Sequence, residues 1–285
     1  MRSQPSTPPS GTSKPNCLAC PLARLLGQTH AQVPAYGSGG FTSESDLELQ
    51  EQLRSWADAG MRSVKMKVGR DWRRDGDRVR LARGAIGADV ALFVDANGAY
   101  DRKQALAQAE TFAAHDVTWF EEPVSSDDLE GLRLLRDRAP ARMGIAAGEY
   151  GYDLRYFRRM LEAGGVDVLQ ADATRCAGIT GFLHVGALCD GFGVPLSAHT
   201  APGLHLAPCC ALSCVRNIEY FHDHVRIERS LFDGLPPLRN SALAPDLASP
   251  GLGLTFSAAM PISGRSPDRT VSSIASAILV EVQRH

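Results

Sequence analysis

Short apolar runs recur along the chain at residues 33–36, 63–67, 91–95, 118–121, 145–147, 168–171, 194–197 and 217–219, with starts between 20 and 30 residues apart. Most of the gaps carry apolar positions at helical spacing. Leu49, Leu53, Trp56 and Ala57 form one such stripe, with Ser43 and Asp46 as a capping box before it and Gly60 as a stop after it. Asp101 precedes a stripe of Ala105, Leu106, Ala109 and Phe112. Leu129, Leu132 and Leu135 form a third, Leu154, Phe157 and Leu161 a fourth, and Ile179, Phe182 and Leu183 open a fifth. Eight strands joined by helices must pair in parallel, because each crossover consumes a dozen or more residues. The pattern alone leaves a closed barrel and an open doubly wound sheet both standing.

Two segments break the rhythm. Residues 1–15 are rich in Ser and Pro and lack an apolar core, so the expectation is a disordered tail and no secretory signal. With no export signal, a cytoplasmic address is expected. Residues 257–285 contain Pro261, Gly264 and Pro267 and then an apolar run at 274–282, and fit no unit of the repeat.

The balance of 30 Lys and Arg against 32 Asp and Glu offers no basic field for nucleic acid and no basic run for a membrane surface. No stretch is apolar for long enough to span a bilayer. Seven cysteines form no disulfide framework. Cys17 and Cys20 make a C-x-x-C without a second pair at zinc spacing, and an apolar helix end is the favoured reading of that segment.

The chemistry collects where the runs end. Asp95, Glu121 and Glu149 follow three successive runs, 26 and 28 residues apart, which is one strand–helix unit each. In a parallel barrel they lie side by side at the C-terminal face, where such folds place their active sites. Three converging carboxylates repel unless a cation sits among them, and oxygen ligands of this kind suit Mg²⁺. Capping of the following helices is the competing role for these acids. Alternation puts Lys65 and Lys67 on one side of the second strand. A metal and a neighbouring ammonium are expected to lower a lysine pKa toward that of a working base. Asp172 ends the sixth run and His199 the seventh, which sets a carboxylate beside an imidazole as an acid–base pair. Glu219 ends the eighth run at the same face. His222, His224 and Tyr150 flank these positions, and surface, helix-start or packing roles are expected of them.

Lys65-x-Lys67, Asp95-Ala-Asn97, Glu121-Glu-Pro, Gly148-Glu149, Asp172-Ala-Thr-Arg-Cys-Ala-Gly-Ile-Thr and Ser197-Ala-His199 together resemble the mandelate racemase subgroup of the enolase superfamily, in order, spacing and strand placement. The resemblance implies an α/β fold, a modified TIM barrel (β/α)₇β over residues 33–256, with Mg²⁺ held by Asp95, Glu121 and Glu149. It implies Lys67 as a base with Lys65 beside it, the His199–Asp172 pair on the opposite face of the substrate carbon, a protonated Glu219 against the substrate carboxylate, and Asn97 as a substrate contact. The activity implied is removal of the proton next to a carboxylate. Dehydration of an acid sugar, an aldonate or aldarate, is preferred, and racemisation or epimerisation of a 2-hydroxy acid is the alternative. A small-molecule carboxylate is the expected partner, and the family's habit implies a homo-oligomer. Members of the family carry an N-terminal capping domain before the barrel. Residues 16–32 resemble only its last helix, so a truncated cap is expected here, and with it a third possibility, a catalytically silent remnant.

Overall fold

The structure is a computed structural model and describes residues 19–257. The tail at 1–15, Cys17 of the C-x-x-C and the run at 274–282 lie outside the described residues.

Each strand is four to seven residues long, apart from the three-residue seventh. The strands are β1 (Val33–Gly39), β2 (Ser63–Lys67), β3 (Ala91–Asp95), β4 (Val117–Glu121), β5 (Gly144–Ala147), β6 (Val168–Ala171), β7 (Leu196–Ala198) and β8 (Val215–Phe221). They pair in parallel in chain order, and β1 closes onto β8 with Tyr36 opposite Glu219. The sheet is therefore a closed barrel, which decides between the two architectures that the pattern left open. A short antiparallel strand, β10 (Ala242–Leu243), joins the entry end of β1. The two-residue strands β9 (Phe232–Asp233) and β11 (Thr255–Phe256) pair with each other nearby in the chain.

Helices fill the seven crossovers: α2 (Asp46–Asp58), α3 (Trp72–Ile86), α4 (Arg102–Ala113), α5 (Leu129–Arg138), α6 (Leu154–Glu162), α7 (Gly178–Phe192) and α8 (Pro202–Ala211); α9 (His222–Leu231) follows β8. Among the described residues of the segment expected to hold a remnant helix, α1 (Leu22–Leu25) is the helical part. Its Leu22 N–H bonds the Gly251 carbonyl at 2.6 Å. The box before α2 lies two residues beyond its expected place: Ser45 and Glu48 cap each other reciprocally, because the helix starts at Asp46. Asp101 and Gln104 form the same device on α4, while Asp71, Asp128 and Asp153 cap α3, α5 and α6. The acids that cap helices are thus different from those at the strand ends.

Strand alternation sorts the side chains into two cores. One face packs against the helices through residues such as Leu92, Val94, Phe120, Ile145 and Leu169. The other faces the lumen, where Tyr36, Phe93, Trp119, Ala146 and Val168 form a separate cluster, with the Phe93 and Trp119 rings stacked at 5.1 Å. Two residues further along their strands, Phe93 and Trp119 are followed by Asp95 and Glu121, and the register pairs Lys67 with Asp95 and Asp95 with Glu121. The lumen thus changes from aromatic to ionic within one step of the pleat.

Candidate active site

Asp95 and Glu121 are the last residues of β3 and β4 and are fully buried. Glu149 stands two residues beyond the end of β5, reached through Gly148. Gly148 has φ +133°, and a Cβ there would meet the Gln170 carbonyl oxygen at 2.2 Å, so the turn that aims Glu149 inward requires glycine. One oxygen from each of the three acids lies within 4.8 Å of the others.

Two lysines enter from β2. Lys65 Nζ donates to Glu121 Oε1 at 2.5 Å and lies 2.8 Å from Glu219 Oε1 and 3.6 Å from Asp95 Oδ2. Lys67 Nζ donates to Asp95 Oδ2 and, at 3.0 Å, to Asn97 Oδ1. Below them the Trp119 indole N–H donates to Glu121 Oε2 at 3.0 Å, tying the aromatic layer to the ionic one.

His199 follows β7 and pairs with Asp172 through Nδ1 at 3.0 Å. The other oxygen of Asp172 accepts from the Thr174 N–H and hydroxyl at 2.8 and 2.7 Å. His199 Nε2 points to Glu149 Oε2 at 3.2 Å without hydrogen-bond geometry, so that buried oxygen has no hydrogen bond from the protein. Glu219, on β8, accepts from the Thr200 N–H at 3.0 Å. All eight ionisable residues singled out in the sequence, with Asn97, therefore converge at one end of the barrel.

The acids outnumber the bases there: Asp95, Glu121, Glu149, Asp172 and Glu219 face Lys65, Lys67 and His199. Burial and the Asp95 charge push the Glu121 carboxyl up to about 8. Burial lowers the His199 pKa, but Glu149 and the bond to Asp172 outweigh it and carry the imidazole up to about 9. Burial disfavours the charged Asp172, yet His199 holds it well below the usual carboxylate range. A surplus of buried carboxylate, one of its oxygens unpaired, is the setting a divalent cation fits.

Two expectations about protonation concern the metal-loaded site, and the chain's own charges alone set a different starting point. Lys67 was expected to have a lowered pKa. Burial does lower it, but Asp95 raises it further, and the protein's own charges leave it above its ordinary value. Glu219 was expected to be protonated. Burial favours that form, but Lys65 and His199 hold it ionised, below the usual range.

Several neighbours escaped the sequence reading. Glu122 is buried in a left-handed conformation at φ +39°, with Oε1 unpaired beside the triad. Its place next to Glu121 was the available signal. Arg175 donates to the Glu149 carbonyl at 2.9 Å and lies over the Tyr150 ring, so Tyr150 borders the site. His224 stands in the first turn of α9, a helix-start position as expected. Its Nε2 is buried and unpaired, and its pKa is lowered by burial and then by the charge of His199, whereas His222 is exposed.

A sequence model described as enolase C-terminal domain-like matches residues 48–260. The chain belongs to that family. Among curated proteins it is similar to the 3,6-anhydro-alpha-L-galactonate cycloisomerase of Streptomyces coelicolor, 31% identical over 239 residues, covering 83% of this chain and 64% of that protein. The chain thus spans less than two thirds of that relative. Among solved structures it is similar to a mandelate racemase/muconate lactonizing enzyme-like protein from Rubrobacter xylanophilus, with TM-score 0.83, 54% identity, and 85% and 67% of the two chains covered. It is also similar to the L-talarate dehydratase from Polaromonas sp. JS666, complexed with Mg and L-glucarate, with TM-score 0.78, 30% identity, and 86% and 67% covered. Among the described residues no helix is long and apolar enough to cross a membrane.

Proposed function

We propose that this chain removes the proton next to a carboxylate with Mg²⁺ held by Asp95, Glu121 and Glu149, and that its substrate is an acid sugar, an aldonate or aldarate, dehydrated to a 2-keto-3-deoxy acid. One observation carries the reading: a base stands at each end of the carboxylate triad, Lys67 against Asp95 and His199 against Glu149. When bound, Mg²⁺ supplies positive charge that stabilises the developing enediolate and offsets the carboxylates that keep Lys67 protonated.

The chain's own residues do the rest. Neutral Lys67 takes the α-proton, and the electron pair left behind moves into the carboxylate. Lys65, paired with Glu219, faces the end of the substrate where that charge collects. His199, held charged by Asp172, gives its proton to the β-hydroxyl. The carbon–oxygen bond then breaks, water leaves, and the resulting enol becomes the keto acid. Asn97, bonded to Lys67, fixes that ammonium and lines the same wall. The L-talarate dehydratase with Mg and L-glucarate supports the choice of substrate class.

The same two bases support racemisation if His199 returns a proton to carbon instead of to the departing hydroxyl. A panel of acid sugars incubated in D₂O with Mg²⁺ separates the outcomes. Keto-acid formation is expected. Deuterium at the α-carbon without water loss would establish the racemase reading, and neither product from any member would remove the proposal.

A further inference from the structure

His205 lies on α8, is fully buried, and takes no direct part in the chemistry proposed above. Its ring is nonetheless fully engaged. Nδ1 lies 2.9 Å from the Thr200 carbonyl oxygen and 3.0 Å from that of Ala201. Carbonyl oxygens only accept, so Nδ1 carries the proton. Nε2 lies 2.8 Å from the Ala173 backbone nitrogen, whose N–H only donates, so Nε2 is the bare acceptor. The partners therefore select one neutral tautomer. Burial acts in the same direction and lowers the pKa. A proton added at Nε2 would set two donors face to face and release the Ala173 N–H.

The places of these partners in the chain matter more than their number. Ala173 directly follows Asp172, and Thr200 directly follows His199. One ring thus joins the backbone just beyond the carboxylate to the backbone just beyond the imidazole that it pairs with. The joined segment is strained: Thr200 and Ala201 hold φ of +50° and +38°, values that non-glycine residues rarely adopt and that persist only under surrounding constraint. The Thr200 N–H is at the same time the donor to Glu219. Phe182 packs against the ring with centroids 5.2 Å apart and fixes its plane.

We infer that His205 is a positioning residue, a neutral staple between the β6 and β7 ends that sets the Asp172–His199 hydrogen bond and the Thr200 donor to Glu219. The inference rests on the reading of Asp172 and His199 as the acid–base pair, but its geometry does not depend on the substrate. The two arms can be separated chemically. In His205→Gln the amide oxygen reaches the place of Nε2 and can still accept from Ala173. In His205→Asn the amide nitrogen reaches the place of Nδ1 and can still donate to Thr200. His205→Phe keeps the packing on Phe182 and removes both arms.

The test is proton NMR of the full ¹⁵N-histidine-labelled chain, following the downfield ring N–H of His199 bonded to Asp172, assigned by its disappearance in His199→Asn. The signal is expected in the parent, lost in His205→Phe, and at least partly retained in the Gln and Asn variants. The rise in Tm on adding Mg²⁺ should survive in all three, because the carboxylate triad lies on other strands. An unchanged His199 signal in His205→Phe would overturn the inference and leave His205 as packing alone. Equal loss in all three variants would also overturn it, since then neither arm holds the pair. A parent that shows the signal but exchanges no α-proton with any acid sugar would instead count against the proposed activity, so the two failures are distinguishable.

Discussion

Toward the entry end of the strands the lumen is packed with Tyr36, Phe93, Trp119, Ala146 and Val168, while one pleat further on the inward positions are Lys67, Asp95 and Glu121, with Lys65 reaching up to them from the level of Phe93. The strands are the same and the register is continuous, yet the two layers obey opposite rules. The aromatic layer is held mainly by ring contacts 5.1–6.0 Å apart, with the Trp119 N–H given to Glu121 and the Tyr36 hydroxyl its one unpaired polar atom. The ionic layer is buried almost as deeply but leaves acid in surplus and polar atoms unpaired at Glu149 and Glu122. The closed aromatic layer contributes stability. The unsatisfied ionic layer is the region where stability is given up for binding a cation and a substrate.

Substitutions that touch one layer and spare the other can break or sharpen that contrast. The largest effect is expected for Lys67→Met in the ionic layer. With Lys67 as the base, α-proton exchange should fall by about 10²- to 10⁴-fold, while the Mg²⁺-dependent rise in Tm remains. Retained exchange would mean that the base lies elsewhere. Phe93→Ala in the aromatic layer should do the reverse. Loss of a buried ring costs about 3–5 kcal/mol, read from urea unfolding, and the Mg²⁺-dependent rise in Tm should persist at temperatures where the variant is folded. If Phe93→Ala abolished the metal response at full folding, the layers would not be separable.

A smaller, graded effect is expected with pH. The Glu121 carboxyl is raised from 4.5 to about 8, so the folded chain keeps a proton that the unfolded chain has lost. His199, raised from 6.5 to about 9, has the same sign: its contribution is complete below about 6.5 and gone above about 9. In both cases the folded state binds more protons, so stability falls as pH rises through those windows. Urea midpoints of the Mg²⁺-free chain should therefore decline between pH 6.5 and 9, and His199→Asn should flatten the decline. A flat parent profile would show that the ionic layer is less tightly coupled than its distances imply.

The barrel and most of the ionic layer were legible in the sequence for one physical reason. Both depend on spacing, because a strand–helix unit of regular length returns each strand end to the same face, as it does for Asp95 and Glu121. The capping residue of α2 was displaced because Ser43 and Ser45 are both competent caps, and only the start of the helix decides between them. The protonation of Lys67 and Glu219 in the metal-free chain was not legible because it depends on the sum of many buried charges rather than on any neighbour in sequence. His205 was passed over because its significance comes from partners brought close only by closure of the barrel.

The central claim is that Asp95, Glu121 and Glu149 form a cation site. The most direct test is the Tm of the purified chain with and without Mg²⁺, beside an Asp95→Asn, Glu121→Gln double variant. A ligand that binds only the folded state raises Tm as its concentration passes Kd. The account predicts a rise in the parent and none in the variant. An equal rise in both, or none in a folded parent, would contradict it.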